Sequence, residues 1–148
     1  MTEELNKALR IKNKHLPALL GWLRGLSLAG GESRQRTRFI EVCIPRIEEI
    51  NKIRKEIVTK YAERIEGTES PKTTEDGNEY IFSDENKKTA DKELEDYLNE
   101  DFVLDVMEGN HEKIKVVKRL ILETKQEFSG PMAVEYDKWC EAFEKVEL

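Results

Sequence analysis

The most reactive side chains in this sequence are two cysteines and two histidines, and their spacing suits no common catalytic or metal site. Cys43 and Cys140 lie 97 residues apart, and His15 and His111 form no His-x-x-x-His pair. Both cysteines fall in apolar stripes with helical spacing, which favours two buried, reduced thiols, although the sequence leaves a disulfide between them open. We therefore assign no catalytic residue, no metal ligand and no cofactor, and expect a protein that is not an enzyme.

Charged side chains offer the other route to function, because they are unevenly distributed along the chain. Residues 1–65 contain 14 Lys/Arg against 8 Asp/Glu, whereas residues 66–148 contain 11 against 23. The chain is electrically bipolar even though its net charge is only −6. Such a distribution favours contact between the two halves, between copies, or with a charged partner.

Three closely spaced arginines form the basic candidate site. Arg34, Arg36 and Arg38 are predicted to lie near the first junction between helices, together with other basic residues, namely Lys12, Lys14 and Arg24. Basic clusters dominate non-specific affinity for nucleic acid, but the acidic net charge and the absence of a recognised binding motif argue against that partner. We expect the arginines to bind protein, and we keep nucleic-acid binding through them as an alternative.

The acidic candidate site lies in the second half of the chain. Residues 75–108 contain 13 Asp/Glu and 3 Lys. This segment either pairs with the basic half, which is the simpler explanation, or imitates nucleic acid and occupies a basic groove on another protein. The candidate partner-binding acids are Asp84, Glu85, Asp91, Glu95, Asp96, Glu100, Asp101 and Asp105.

The first half of the chain must position the arginines through two helices. Leu16-Pro17 starts the first, and its stripe of five leucines ends before Gly30-Gly31. Ser33 is predicted to cap a long second helix over residues 34–65, whose isoleucine stripe would face the leucines in an antiparallel hairpin. Pro45 predicts a kink or break in that helix.

The second half is predicted to mix helices with a small sheet. Residues 67–79 form a loop, residues 80–82 an edge strand, and Ser83 caps a helix over residues 84–100. Alternating apolar residues then indicate strands over 102–107 and about 113–123, paired as a β-hairpin, with a helix over 110–128 as the alternative for the second. A last helix begins at Pro131.

Together these elements predict one domain of the α+β class, mainly α. It comprises an antiparallel helical hairpin with a long kinked second helix, a small antiparallel β-hairpin and a C-terminal helix. Within residues 1–148 we distinguish a basic helical hairpin over 1–66, the loop over 67–79, and an acidic α+β part over 80–148.

In their order, these landmarks resemble a family of small proteins of unknown function encoded in bacteriophage and prophage genomes. The likeness covers about residues 5–107, and the family has no assigned active residues. The segments that carry the resemblance are Leu16-Pro17, Glu49-Ile50 with Arg54, Thr59-Lys60-Tyr61, Glu75-Asp76-Gly77-Asn78 with Tyr80, Glu93-Leu94, Tyr97-Leu98-Asn99-Glu100 and Val103-Leu104-Asp105-Val106.

This resemblance implies a phage accessory protein that acts inside the host or in virion assembly. We expect it to work by protein–protein contact, first in virion structure or assembly and alternatively as an inhibitor of a host enzyme or defence complex. Its partner would be a second copy, a phage protein or a host protein. The acidic N-terminus lacks a secretory signal, and the apolar window 16–30 is too short for a bilayer, so we expect a host-cytoplasmic or virion protein without membrane contact.

Overall fold

The computed structural model describes residues 7–148. Helices make up 61% of the structure, which confirms the predicted α+β, mainly α class. Over the described residues the elements are β1 (Ala8–Lys12), a 3₁₀ turn (Asn13–His15), α1 (Leu16–Arg24), α2 (Gly30–Tyr61), α3 (Asp84–Leu98), β2 (Asp101–Asp105), α4 (His111–Glu123) and α5 (Pro131–Glu144).

The small antiparallel sheet is present, but its strands differ from the predicted pair. β2 pairs with β1, with Leu9 opposite Leu104 and Ile11 opposite Phe102, and these four side chains are buried. The predicted partner strand over 113–123 is wrong, because this segment is the helix α4. Its apolar residues are buried at helical spacing, as the alternative prediction required.

α1 begins at Leu16 as predicted, but its end and both ends of α2 differ from the prediction. α1 ends at Arg24 with Gly25 as its C-cap, whereas Gly30-Gly31 begins α2 instead of ending α1. Ser33 is not the N-cap of α2, since its N–H donates to the carbonyl of Ala29 at 2.8 Å within the first turn. The end of α2 at Tyr61 also comes before the predicted residue 65.

α2 runs unbroken through Pro45. A proline inside a helix removes one backbone hydrogen bond and costs about 3 kcal/mol in isolation. Here the ring is exposed, while Cys43 before it and Ile50 after it are buried. Burial of apolar side chains on both sides of the proline therefore keeps the helix continuous.

Two contacts confirm that α1 and α2 form an antiparallel hairpin. Arg36 Nη1 donates to the carbonyl of Leu23 near the end of α1, and Arg46 Nη1 donates to Asn13 Oδ1 just before α1 begins, at 3.3 Å. The later residue of α2 therefore contacts the earlier part of the chain around α1, as expected for two antiparallel helices.

The chain divides into two compact units, and the prediction of a single domain stays a prediction. The first unit contains the described residues up to Ile47 together with Asp101–Leu148, and the second contains Glu48–Glu100. These boundaries differ from the predicted subdivision at the loop 67–79, which lies inside the second unit.

The core of the first unit is centred on α5. Trp139 is fully buried, its ring centroid lies 5.6 Å from that of Trp22 in α1, and Phe128 and Tyr136 contact it edge-on. α4 contributes four buried apolar residues to the protein interior, namely Ile114, Val116, Val117 and Ile121. The last helix therefore docks firmly, as its aromatic content predicted.

In the second unit, the end of α2 is joined to α3. Tyr61 donates its hydroxyl hydrogen to Glu93, whose pKa is lowered by this bond and by Lys60. Ser83 caps α3 as predicted, because its side chain accepts the N–H of Asn86 at 3.1 Å. The predicted strand over 80–82 is reduced to one bridge between Tyr80 and Thr73.

Candidate partner-binding surfaces

The three predicted arginines lie on α2, but they do not share one surface. Arg34 and Arg38 are exposed, whereas Arg36 is half-buried. Residues two apart on a helix point in different directions, while residues four apart are neighbours. Arg34 and Arg38 are therefore available to a partner together, and Arg36 is not.

Arg36 instead holds the junction between α1 and α2. Its Nη1 donates to the carbonyls of Leu23 at 2.6 Å and Leu26 at 2.8 Å, and its Nη2 contacts Ser33 Oγ at 3.1 Å. Leu23 lies in the last turn of α1 and Leu26 just after its C-cap, so the guanidinium lies at the C-terminal end of this helix, where a positive charge is favourable. Arg36 thus serves the fold by tying α2 to the end of α1 and to the segment that follows it, and the carbonyl of Leu23 also accepts the main-chain N–H of Leu26 at 3.2 Å.

A second basic surface lies in the first unit, and sequence analysis identified only part of it. Lys12 and Lys14 were predicted to join the arginines, but they line a groove of about 410 Å³ between β1, the 3₁₀ turn and α5. We call this surface the basic groove and define it by its charged lining, namely Arg10, Lys12, Lys14, His15, Asp101, Lys138, Glu141 and Lys145.

The fold creates the basic groove from two periodicities. Side chains alternate between the two faces of a strand, so the burial of Leu9 and Ile11 leaves Arg10 and Lys12 exposed. On α5, positions 138, 141 and 142 share one face because they are three and four residues apart, and Lys145, the C-cap of α5, continues this face. These residues line the groove beside the buried Trp139.

Two contacts fix the walls of the basic groove. His15 Nδ1 lies 2.6 Å from Glu135 Oε2, and Trp139 Nε1 donates to the main-chain carbonyl of His15 at 3.2 Å. Both join the 3₁₀ turn to α5. The groove is therefore a shape of the folded protein, held by contacts that bridge more than 100 residues of sequence.

The charges of the basic groove are incompletely balanced. Five Lys/Arg and two carboxylates line it, and Lys138 pairs with Glu141 at 3.5 Å. Within residues 7–148, no carboxylate lies within ion-pair distance of Arg10, Lys12, Lys14 or Lys145. The groove is thus suited to an anionic partner.

The predicted acidic residues are divided between the two units. On α3, Asp84 and Glu85 occupy the first turn, Asp91 pairs with Lys87 at 3.3 Å, and Asp96 pairs with Lys92 at 3.5 Å. Glu95 and Glu100 are exposed near the C-terminal end of this helix. The first unit holds the two remaining predicted acids on β2: Asp101, which lines the basic groove, and Asp105, which accepts the N–H of Met107.

Counted by unit, the charges separate clearly. Residues 48–100 contain 9 Lys/Arg and 16 Asp/Glu, a net of −7, and the rest of the chain contains 16 and 15. The second unit therefore accounts for the acidic character of the protein, and the basic groove belongs to the first.

The cysteines are free thiols, with no disulfide between them. Cys43 is fully buried, and its burial raises the thiol pKa to about 12. Cys140 is half-buried, and burial also raises its pKa. Raised pKa values leave little thiolate, so neither cysteine is poised as a nucleophile.

Over residues 7–148, no three His, Cys, Asp or Glu side chains are grouped so that they could hold a metal ion. In the same part of the chain, none of the helices combines the length and the apolar character that crossing a bilayer requires.

No family model, no curated protein and no solved structure matches the chain.

Proposed function

We propose that this chain is a non-enzymatic protein that acts by protein–protein contact and assembles with copies of itself. The observation that carries the proposal is the separation of charge, with a net of −7 on residues 48–100 and an unbalanced basic groove in the other unit. Opposite charges on two surfaces steer association and select the orientation of the partners.

A contact between two different surfaces has a structural consequence. Each copy offers one basic and one acidic surface, so an unclosed assembly keeps one surface of each kind open at its ends. Such heterologous contacts build rings when the rotation closes and filaments when it does not. This behaviour suits a structural or assembly protein, in keeping with the resemblance to phage-encoded proteins, and we propose the host cytoplasm or the virion as its place of action.

The alternatives have weaker support. Nucleic-acid binding through the arginine cluster would use Arg34 and Arg38 alone, because Arg36 is engaged by main-chain carbonyls. Imitation of nucleic acid by α3 is weakened by Lys87 and Lys92, which pair with acids along that helix. These two observations favour self-assembly over nucleic-acid binding and over inhibition of a host protein by nucleic-acid mimicry.

Size-exclusion chromatography with light scattering at low salt tests self-assembly. The chain has a mass of 17.3 kDa. We expect a larger average mass that increases with protein concentration, because an open heterologous contact obeys mass action. A mass of one chain at every concentration would contradict self-assembly.

A further inference from the structure

We infer that the basic groove is the docking site for the acidic end of α3 from a second copy of the chain. We define the acidic end by Glu95, Asp96 and Glu100. The inference rests on the proposed function and deepens it, because it names both sides of the contact.

The groove carries positive charge that its own lining leaves unbalanced. Arg10, Lys12, Lys14 and Lys145 have no ion-pair partner within residues 7–148, and the first three are exposed on one wall. Carboxylates that accept hydrogen bonds from ammonium and guanidinium groups form shorter and stronger bonds than neutral acceptors. A partner with several exposed carboxylates would therefore satisfy this surface.

The lining of the groove favours a protein segment over nucleic acid. It includes Asp101 and Glu141, which would repel a continuous phosphate backbone. Among the described residues its lining includes no Phe, Tyr or Trp, although single strands are commonly bound by stacking on such rings. The net charge of −6 also opposes the approach of a polyanion. A segment with separated carboxylates fits better.

The acidic end of α3 has the matching properties. Glu95, Asp96 and Glu100 are exposed, and no basic residue occupies the last turn of this helix. Carboxylates are unfavourable at a helix C-terminus, where the helix dipole is negative. Among these three acids, Asp96 alone has an ion-pair partner in the described part of the chain, Lys92 at 3.5 Å. Binding to the groove would relieve this repulsion.

Charge reversal on each side tests the pairing. The groove-reversed variant carries Lys12→Glu and Lys14→Glu, and the helix-reversed variant carries Glu95→Lys and Glu100→Lys. All four side chains are exposed, so the folded state should persist, and circular dichroism checks this. Matched controls make the same charge changes elsewhere in the same units, with Lys115→Glu and Lys125→Glu for the first and Glu66→Lys and Glu75→Lys for the second.

The expected result is loss of association in each reversed variant and its recovery in their equimolar mixture. Sedimentation velocity should show self-association weakened at least about tenfold in either variant alone, since each now opposes like charges. The mixture should associate like the wild type, because both of its contacts pair opposite charges. The control variants should remain close to the wild type.

The outcomes separate this inference from the proposed function. A wild-type protein that never associates overturns the self-assembly on which the inference rests. Wild-type association that survives both reversals, or a mixture that does not recover, overturns the inference alone. A mobility shift of single-stranded RNA by the wild type that the groove-reversed variant lacks would identify nucleic acid as the occupant instead.

Discussion

His15 Nδ1 and Glu135 Oε2 lie 2.6 Å apart and join the two walls of the basic groove. Both side chains are largely shielded from solvent. A hydrogen bond to a charged group in such a place contributes about 1 kcal/mol or more to stability. This contact therefore links the stability of the first unit to the shape of its candidate surface.

A double-mutant cycle with His15→Ala and Glu135→Ala measures that contact. We expect each single variant to lower the free energy of unfolding, and the double variant to lose about 1 kcal/mol less than the sum of the two. Urea unfolding followed by circular dichroism gives the three values. Strict additivity of the two losses would show that the two side chains do not interact in solution.

Replacing each arginine of the cluster by alanine should separate their roles. Arg36→Ala removes the two guanidinium hydrogen bonds to the carbonyls of Leu23 and Leu26 and should lower the free energy of unfolding by about 1–3 kcal/mol. Arg34→Ala and Arg38→Ala change exposed side chains and should stay within about 0.5 kcal/mol of the wild type. Equal losses at all three positions would contradict the assigned role of Arg36.

Cys43 should make stability depend on alkaline pH. Its pKa is about 12 in the folded protein against 9.0 in the reference state, because burial disfavours the thiolate. Above pH 9 the unfolded chain loses this proton while the folded protein keeps it, so stability falls as pH rises, by at most about 1.4 kcal/mol per pH unit. Below pH 9 the thiol is protonated in both the folded and the unfolded state, so its ionisation does not lower the stability.

The Cys43→Ala variant isolates this effect from other groups that titrate in the same range. We expect the stability advantage of the wild type over the variant to shrink as pH rises above 9. Guanidinium unfolding at a series of pH values measures the difference. A difference that stays constant with pH would show that the thiol ionises equally in the folded and unfolded states.

Local signals in the sequence predicted several elements correctly. Ser83 followed by acidic residues marked the start of α3, and Pro131 marked that of α5, because caps and first-turn prolines act through nearby backbone groups. The leucine stripe likewise predicted α1. These elements are determined by interactions within a few residues.

Long-range pairing was where sequence analysis was wrong. Alternating apolar residues over 102–107 indicated a strand, but such alternation does not identify the strand with which it pairs. The correct partner is β1, more than 80 residues away, while α4 occupies the segment that was predicted to pair. Apolar residues at 114, 117 and 121 fit helical spacing, and their burial in the core decided between the two alternatives.

The sequence predicted only part of the basic groove, because the two walls of the groove come from distant parts of the chain. Lys12 and Lys14 were recognised as basic residues near the first helix, but Lys138 and Lys145 come from the other end of the chain. Their helical spacing with Glu141 was a usable signal for one wall. The meeting of the two walls depends on His15, Glu135 and Trp139, and no local pattern shows that.

Sedimentation equilibrium of the wild-type protein at low and high salt tests the central claim, attraction between oppositely charged surfaces of different copies, most directly. The Debye length falls from about 30 Å at 0.01 M to about 3 Å at 1 M ionic strength, so exposed charges on separate molecules should attract strongly only in the first condition. We predict oligomers at low salt that dissociate towards a 17.3 kDa monomer at high salt. A monomer in both conditions, or oligomers of equal affinity in both, would contradict the account.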